Sequence, residues 1–276
     1  MASNNLGIKI LFTITTLACT LFSFGQEPIT FQLHNKIPVT RLHSPASAPA
    51  SVAVYIKAGH LYNANQQGLA HLYEHIFNLG NIDANPAAIN QLLAKYGGER
   101  RAGASTTSLR FWYSIDEEAL APLFSLLAGS FSSLNLDDDT VNAQVIAIDN
   151  EWVQKNDMLE LIDWEQTFQV FAHPVNKVNS GQPFFMGNKE AFGPRVADLK
   201  KQLNQRMQKL QPNDIKVIIS TSFPQSVISK LLNQSLGRVT FAPPQADFLR
   251  TNDEKINYTS ITELRETKKR PKVRMI

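Results

Sequence analysis

Cysteine is nearly missing from this 276-residue chain: Cys19 is the only one, and it lies in the N-terminal segment. A lone thiol excludes an internal disulfide framework and a cysteine-built metal cluster. Charged residues make up only 18% and hydrophobic ones 43%, which excludes a disordered chain and suits a packed core of one large domain or two small ones. No apolar stretch reaches the roughly 20 residues that a membrane-spanning helix needs. There is no glycine-rich phosphate loop, no serine or cysteine nucleophile constellation and no internal repeat. The net charge of +3 owes much to the terminal run Arg265, Lys268, Lys269, Arg270 and Lys272. That run is short and has no interleaved aromatics, so it reads as a solvated linker and not as a nucleic-acid surface.

The N-terminus has the pattern of an export signal. Lys9 precedes the apolar stretch Ile10 to Phe24, and Ser23-Phe24-Gly25 offers small residues before a cleavage point at Gln26. Residues 1–25 are therefore expected to be a signal peptide, and the protein to be periplasmic or secreted. A lipid anchor at Cys19 is the rival reading, but Thr16-Leu17-Ala18 is a poor lead-in for it. Cleavage after Gly25 would leave a mature chain without cysteine.

Beyond Gln26 the pattern is mixed. Strands are expected over Ile29 to His34, Ile37 to His43, Ser51 to Ala58, Ser108 to Ile115 and Ile215 to Ser220, from short runs and period-two alternation. Helices are expected over Leu69 to Leu79, Pro86 to Tyr96, Glu117 to Phe131, Asp137 to about Val170, Val196 to Leu210 and Pro224 to Leu236. His173 to Gly193, punctuated by glycine and proline, is expected to be loop. Residues 26–243 are assigned to one domain, and residues 244–276 to a polar linker running into the truncated start of a second domain.

The informative motif is His71-Leu72-Tyr73-Glu74-His75. On a helix the two histidines, four apart, share a face and can meet one metal ion. Glu74 can reach a water beside that ion. Hydrolytic zinc takes three protein ligands and an open position, so a third ligand is needed. The helix after Asp137 offers Asp149, Glu151, Asp157 and Glu160, and composition does not choose among them. The remaining histidines, His34, His43 and His60, read as surface or packing residues. His173 reads as a turn residue, and Trp112, Trp152 and Trp164 as core or helix-face residues.

The run Gly68-Leu69-Ala70-His71-Leu72-Tyr73-Glu74-His75 resembles the inverted zinc motif of the pitrilysin/insulinase metallopeptidases. In that family a glutamate about 76 residues past the second histidine completes the site, and from His75 this count lands on Glu151. The likeness extends to Ala58-Gly59, to Gly97-Gly98 through Tyr113, to His173-Pro174 with Lys177 and Gly181, and to Leu210 through Ser220. It covers about Ile29 to Phe241. It implies an α+β half-shell domain, a mostly antiparallel sheet with helices packed on it. It also implies one zinc per chain held by His71, His75 and Glu151, with Glu74 as general base in peptide hydrolysis.

The resemblance further implies that a peptide substrate adds as a strand at the sheet edge near Ala102 to Thr107, with Arg101, Ala102 and Ala104 as substrate contacts. The family commonly places an acidic residue seven positions before the ligand glutamate, where this chain has Gln144. It commonly carries an asparagine on the edge strand, where this chain has Arg101. Family members join two or four such domains, and the partner half supplies an arginine and a tyrosine to the substrate. A homologous partner subunit or domain is accordingly expected. The alternative is a non-catalytic homologue that binds peptides or assembles with a partner.

Overall fold

The computed structural model describes residues 27–60, 68–77, 79, 87–105, 107–131, 137–156 and 187–243. Residues 1–26, expected to hold the export signal, residues 244–276, Asp157, Glu160, Trp164, His173-Pro174, Lys177 and Gly181 lie outside the described residues. In chain order the elements are β1 (Ile29–Gln32), β2 (Pro38–His43), β3 (Ala50–Ile56), α1 (Leu69–Phe77), α2 (Ala88–Lys95), β4 (Glu99–Ala104) and β5 (Leu109–Ile115). They continue with α3 (Leu120–Ser130), α4 (Asp138–Asn156), α5 (Lys189–Phe192), α6 (Val196–Gln208), β6 (Ile215–Thr221) and α7 (Gln225–Gln234).

The strands form one six-stranded sheet in the order β1-β2-β6-β3-β5-β4. Among the described strands only the β2–β6 pair is parallel; the other neighbours run antiparallel, so the sheet is mostly antiparallel. Alternation explains which face is covered. Val52, Val54 and Ile56 of β3, Leu109, Phe111, Tyr113 and Ile115 of β5, and Ile215, Val217 and Ile219 of β6 are all buried, and their neighbours in sequence are not. The buried face joins one hydrophobic cluster with Leu72, Ile76 and Phe77 of α1, Leu120, Leu123, Phe124 and Leu127 of α3, and Val141, Val145 and Ile148 of α4. Phe77 stacks on Phe111 at a centroid separation of 4.3 Å, which fixes α1 over the sheet beside the edge.

Three expectations are corrected. The edge strand is β4, Glu99–Ala104, and not the stretch from Ala102 to Thr107. It opens directly after Gly97, which has φ of 61°, and Gly98, where a Cβ would lie 2.8 Å from the Ser114 carbonyl oxygen. Ser105 and Ser108 instead close the hairpin tip, the Ser105 N–H donating to the Ser108 carbonyl at 2.8 Å. Within the stretch expected to be loop, Lys189–Phe192 is a short helix, because the Asn188 side chain caps the Ala191 N–H at 2.7 Å. The helix expected from Glu117 begins as a tighter 3-10 turn over Glu117–Ala119, initiated by the Asp116 carboxylate on the Glu118 N–H.

Candidate metal centre

Helix α1 carries the motif because nearly every residue around it is apolar: Leu69, Ala70, Leu72, Tyr73, Ile76 and Phe77 are all buried. That leaves His71, Glu74 and His75 on the stripe turned to the groove beside α4. His71 Nε2 and His75 Nε2 lie 3.2 Å apart, their rings nearly perpendicular. Glu74 Oε2 stands 3.7 Å from His71 Nε2. Helix α4 packs against α1 and brings Glu151 to the same place. Its Oε1 is 3.4 Å from His75 Nε2 and its Oε2 is 3.7 Å from His71 Nε2.

These spacings suit a common ion. Two donors each about 2.0–2.2 Å from zinc in tetrahedral geometry stand roughly 3.3–3.6 Å apart. The pairwise distances among His71, His75 and Glu151 fall in or beside that range. Two imidazoles and a carboxylate are also a zinc-type donor set. His71, Glu74 and His75 also bring donor atoms within 4.8 Å of one another.

Gln144 lies two turns before Glu151 on the same face of α4, and its Oε1 is 3.3 Å from His75 Nδ1. With Nε2 turned to the donor cluster, Nδ1 is the nitrogen that donates to Gln144. Burial works against a charged His75. The Glu151 hydrogen bond, the Glu74 and Glu151 carboxylates and Gln144 outweigh it and raise the pKa above its ordinary value. Of the other acidic residues open in the sequence, Asp149 is engaged elsewhere: its Oδ1 accepts the Lys189 N–H at 2.9 Å at the start of α5.

Arg101, Ala102 and Ala104, the residues expected to contact substrate, all lie on β4, the edge strand of the sheet among the described residues. Ala102 pairs with Phe111, the residue stacked on Phe77 of α1. The histidine helix thus stacks on the strand next to the edge and also packs directly on β4. His34 and His43 are exposed, with His43 Nδ1 held by Arg41.

His60 is a packing residue and not a surface one, at 3% exposure. Burial first, then the neighbouring His71 and Arg206, push its pKa down to about 3, against a hydrogen bond to the Ala104 backbone. Its own N–H donates to the Ser105 carbonyl at 3.0 Å. Arg206, 3% exposed on α6, was not singled out in the sequence. Its Nη2 donates to the carbonyls of Ala58 and Gly59, the latter at 2.9 Å. Gly59 is wedged there: a Cβ would lie 2.4 Å from both the Ser105 oxygen and the Ser108 nitrogen. The signal for Arg206 was available, since it sits in register with the apolar stripe Leu199, Leu203 and Leu210. Below the motif, Tyr73 is fully buried and its hydroxyl has no hydrogen-bond partner among the described residues. Burial raises its pKa, with Arg206 opposing.

Residues 39–168 match the family described as insulinase, peptidase family M16. That match covers a little under half of the chain and makes this stretch similar to the pitrilysin/insulinase family. Its fold is similar to the crystal structure of pitrilysin, with a TM-score of 0.69 and 19% identity over 80% of this chain and 24% of that one. It is also similar to a protease from Helicobacter pylori, with a TM-score of 0.63 and 16% identity over 81% of this chain and 53% of that one. The chain thus spans about a quarter and about half the length of these two structures. No curated protein matches its sequence. No helix among the described residues is long and apolar enough to cross a membrane.

Proposed function

We propose that this chain is an exported zinc endopeptidase domain that works with a homologous partner half. The observation carrying this reading is the Glu151 carboxylate standing within 3.7 Å of both imidazoles from a separate helix. His71, His75 and Glu151 are the residues that would hold the ion. Zinc held there would supply a Lewis acid that activates water near neutral pH and polarises a carbonyl. Glu74, on the same helix stripe, is the base: its carboxylate accepts a proton and passes it to the leaving amine. Gln144 fixes the His75 tautomer through Nδ1. The side of β4 that no described strand pairs with offers backbone groups on which an extended peptide adds as a strand. A partner half completes the enclosure around that peptide. The segment Ile10 to Phe24 supports export, which N-terminal sequencing of the mature protein tests directly.

Metal analysis is the first test. Wild type is expected to hold about one zinc per chain, and His71→Ala and Glu151→Ala to lose it; unchanged zinc in both variants would refute the ligand set. Glu74→Gln is expected to keep zinc and lose cleavage. The neutral amide of Gln144, where a carboxylate would hold His75 more strongly, favours a second reading: a peptide-binding or assembly subunit without turnover. Zinc-loaded wild type that binds peptide yet matches Glu74→Gln in cleavage, partner present, would select that reading.

A further inference from the structure

Strand β4 carries two adjacent arginines, Arg100 and Arg101, and both are exposed. They form no ion pair among the described residues, unlike Lys200, which pairs with Asp138 at 2.8 Å. Successive residues of a strand face opposite sides of the sheet. The pairing with β5 assigns the sides: Arg100 lies opposite Tyr113, a buried residue of the helix-covered face, and Arg101 lies opposite Trp112 on the open face.

The open face is basic near this edge. Arg110 pairs with Gly103 and lies 5.5 Å over the Trp112 ring. Lys216 follows two strands further in, across from Tyr55. A cavity of about 220 Å³ opens there, lined by Arg101, Trp112, Ser114, Glu99 and Ile218 among others. Glu99 is the single acidic residue on this strand, against three arginines on β4 and β5.

A peptide strand added outside β4 places two consecutive side chains opposite Arg100 and Arg101, one on each face. Directly opposed residues on paired strands have Cβ atoms about 4.5–5.5 Å apart, so each of the two meets a guanidinium at ion-pairing reach. From the edge-strand binding taken above as the substrate mode, we infer that this chain selects peptides with two adjacent acidic residues. These residues sit opposite Arg100 and Arg101, next along from those opposite Ala102 and Ala104. Two exposed cross-strand ion pairs give a preference of about three- to tenfold over a neutral sequence, and the preference shrinks in high salt.

The test uses the full-length, zinc-loaded Glu74→Gln protein and three fluorescent peptides of one length that differ only at two adjacent positions: Asp-Glu, Ser-Ser and Lys-Lys. Anisotropy titrations are expected to rank Asp-Glu first and Lys-Lys last. Arg100→Glu with Arg101→Glu is expected to reverse that order. Equal affinity for the three peptides, or an acidic preference that survives the double reversal, overturns the inference and leaves the arginines as guards of a sheet edge. Neither result touches the zinc assignment, which rests on metal analysis. Binding of none of the peptides overturns both this inference and the edge-strand mode beneath it.

Discussion

Replacing Gln144 by glutamate isolates the contact behind His75. The amide oxygen lies 3.3 Å from Nδ1, at the long end for a neutral hydrogen bond. A carboxylate at the same reach makes a charge-assisted bond of roughly twice the strength, orients the ring and raises its basicity as a ligand. Changes in such outer contacts alter metal affinity by about 10–100-fold. Gln144 is only half-buried, so the lower end of that range applies. Gln144→Glu is expected to tighten zinc binding by up to about tenfold, or about 1.4 kcal/mol, and Gln144→Ala to weaken it by a similar factor. Competition against a chelator of known affinity measures both. Asn142→Asp is the control, because Asn142 is exposed on the same helix and its replacement adds the same charge without touching the histidine. If Asn142→Asp tightens zinc as much as Gln144→Glu, the effect is general electrostatics and the argument from the contact fails. It fails equally if Gln144→Ala binds zinc as wild type does.

Arg206→Met is expected to destabilise the fold by about 3 kcal/mol, since it strands the buried Ala58 and Gly59 carbonyls; denaturant unfolding measures it, and a loss under about 0.5 kcal/mol contradicts the assignment. His60 gives a pH signature. Its folded pKa, lowered to about 3, lies below the unfolded value near 6.5, so the unfolded chain binds the extra proton. The His60 contribution is whole above about pH 6.5 and declines as the pH falls toward 3, reaching a loss of about 2 kcal/mol by pH 5. Metal-free His60→Leu protein is expected to show a flatter acid limb than metal-free wild type in thermal melts, and parallel curves would refute it.

The histidine helix and the three strands β3, β5 and β6 were legible because their burial follows the period of the sequence. Leu109, Phe111, Tyr113 and Ile115 alternate inward as written. Strand β4 was not, because Glu-Arg-Arg-Ala-Gly-Ala has no buried face to impose a period; its first four residues are exposed. Glu151 could not be separated from three other acidic residues by local pattern, since the property that distinguishes it is its distance from an imidazole on another helix. The resemblance supplied the spacing, and the packing of α4 on α1 supplies the geometry. Arg206 was passed over because a charge in a polar-rich helix reads as solvated until its carbonyl partners are placed. The parallel pairing of β2 with β6, residues far apart in the chain, is invisible to local pattern.

That pairing has a kinetic consequence. The last strand among the described residues, β6, lies in the middle of the sheet, with β2 on one side and β3 on the other. Until Ile215–Thr221 is threaded in, the earlier strands form two separate ribbons, each with a bare inner rim. Such a closing step is long-range and slow. During it the chain presents two sticky edges that other chains can capture, so yield on refolding is expected to turn on how soon this late segment finds its slot.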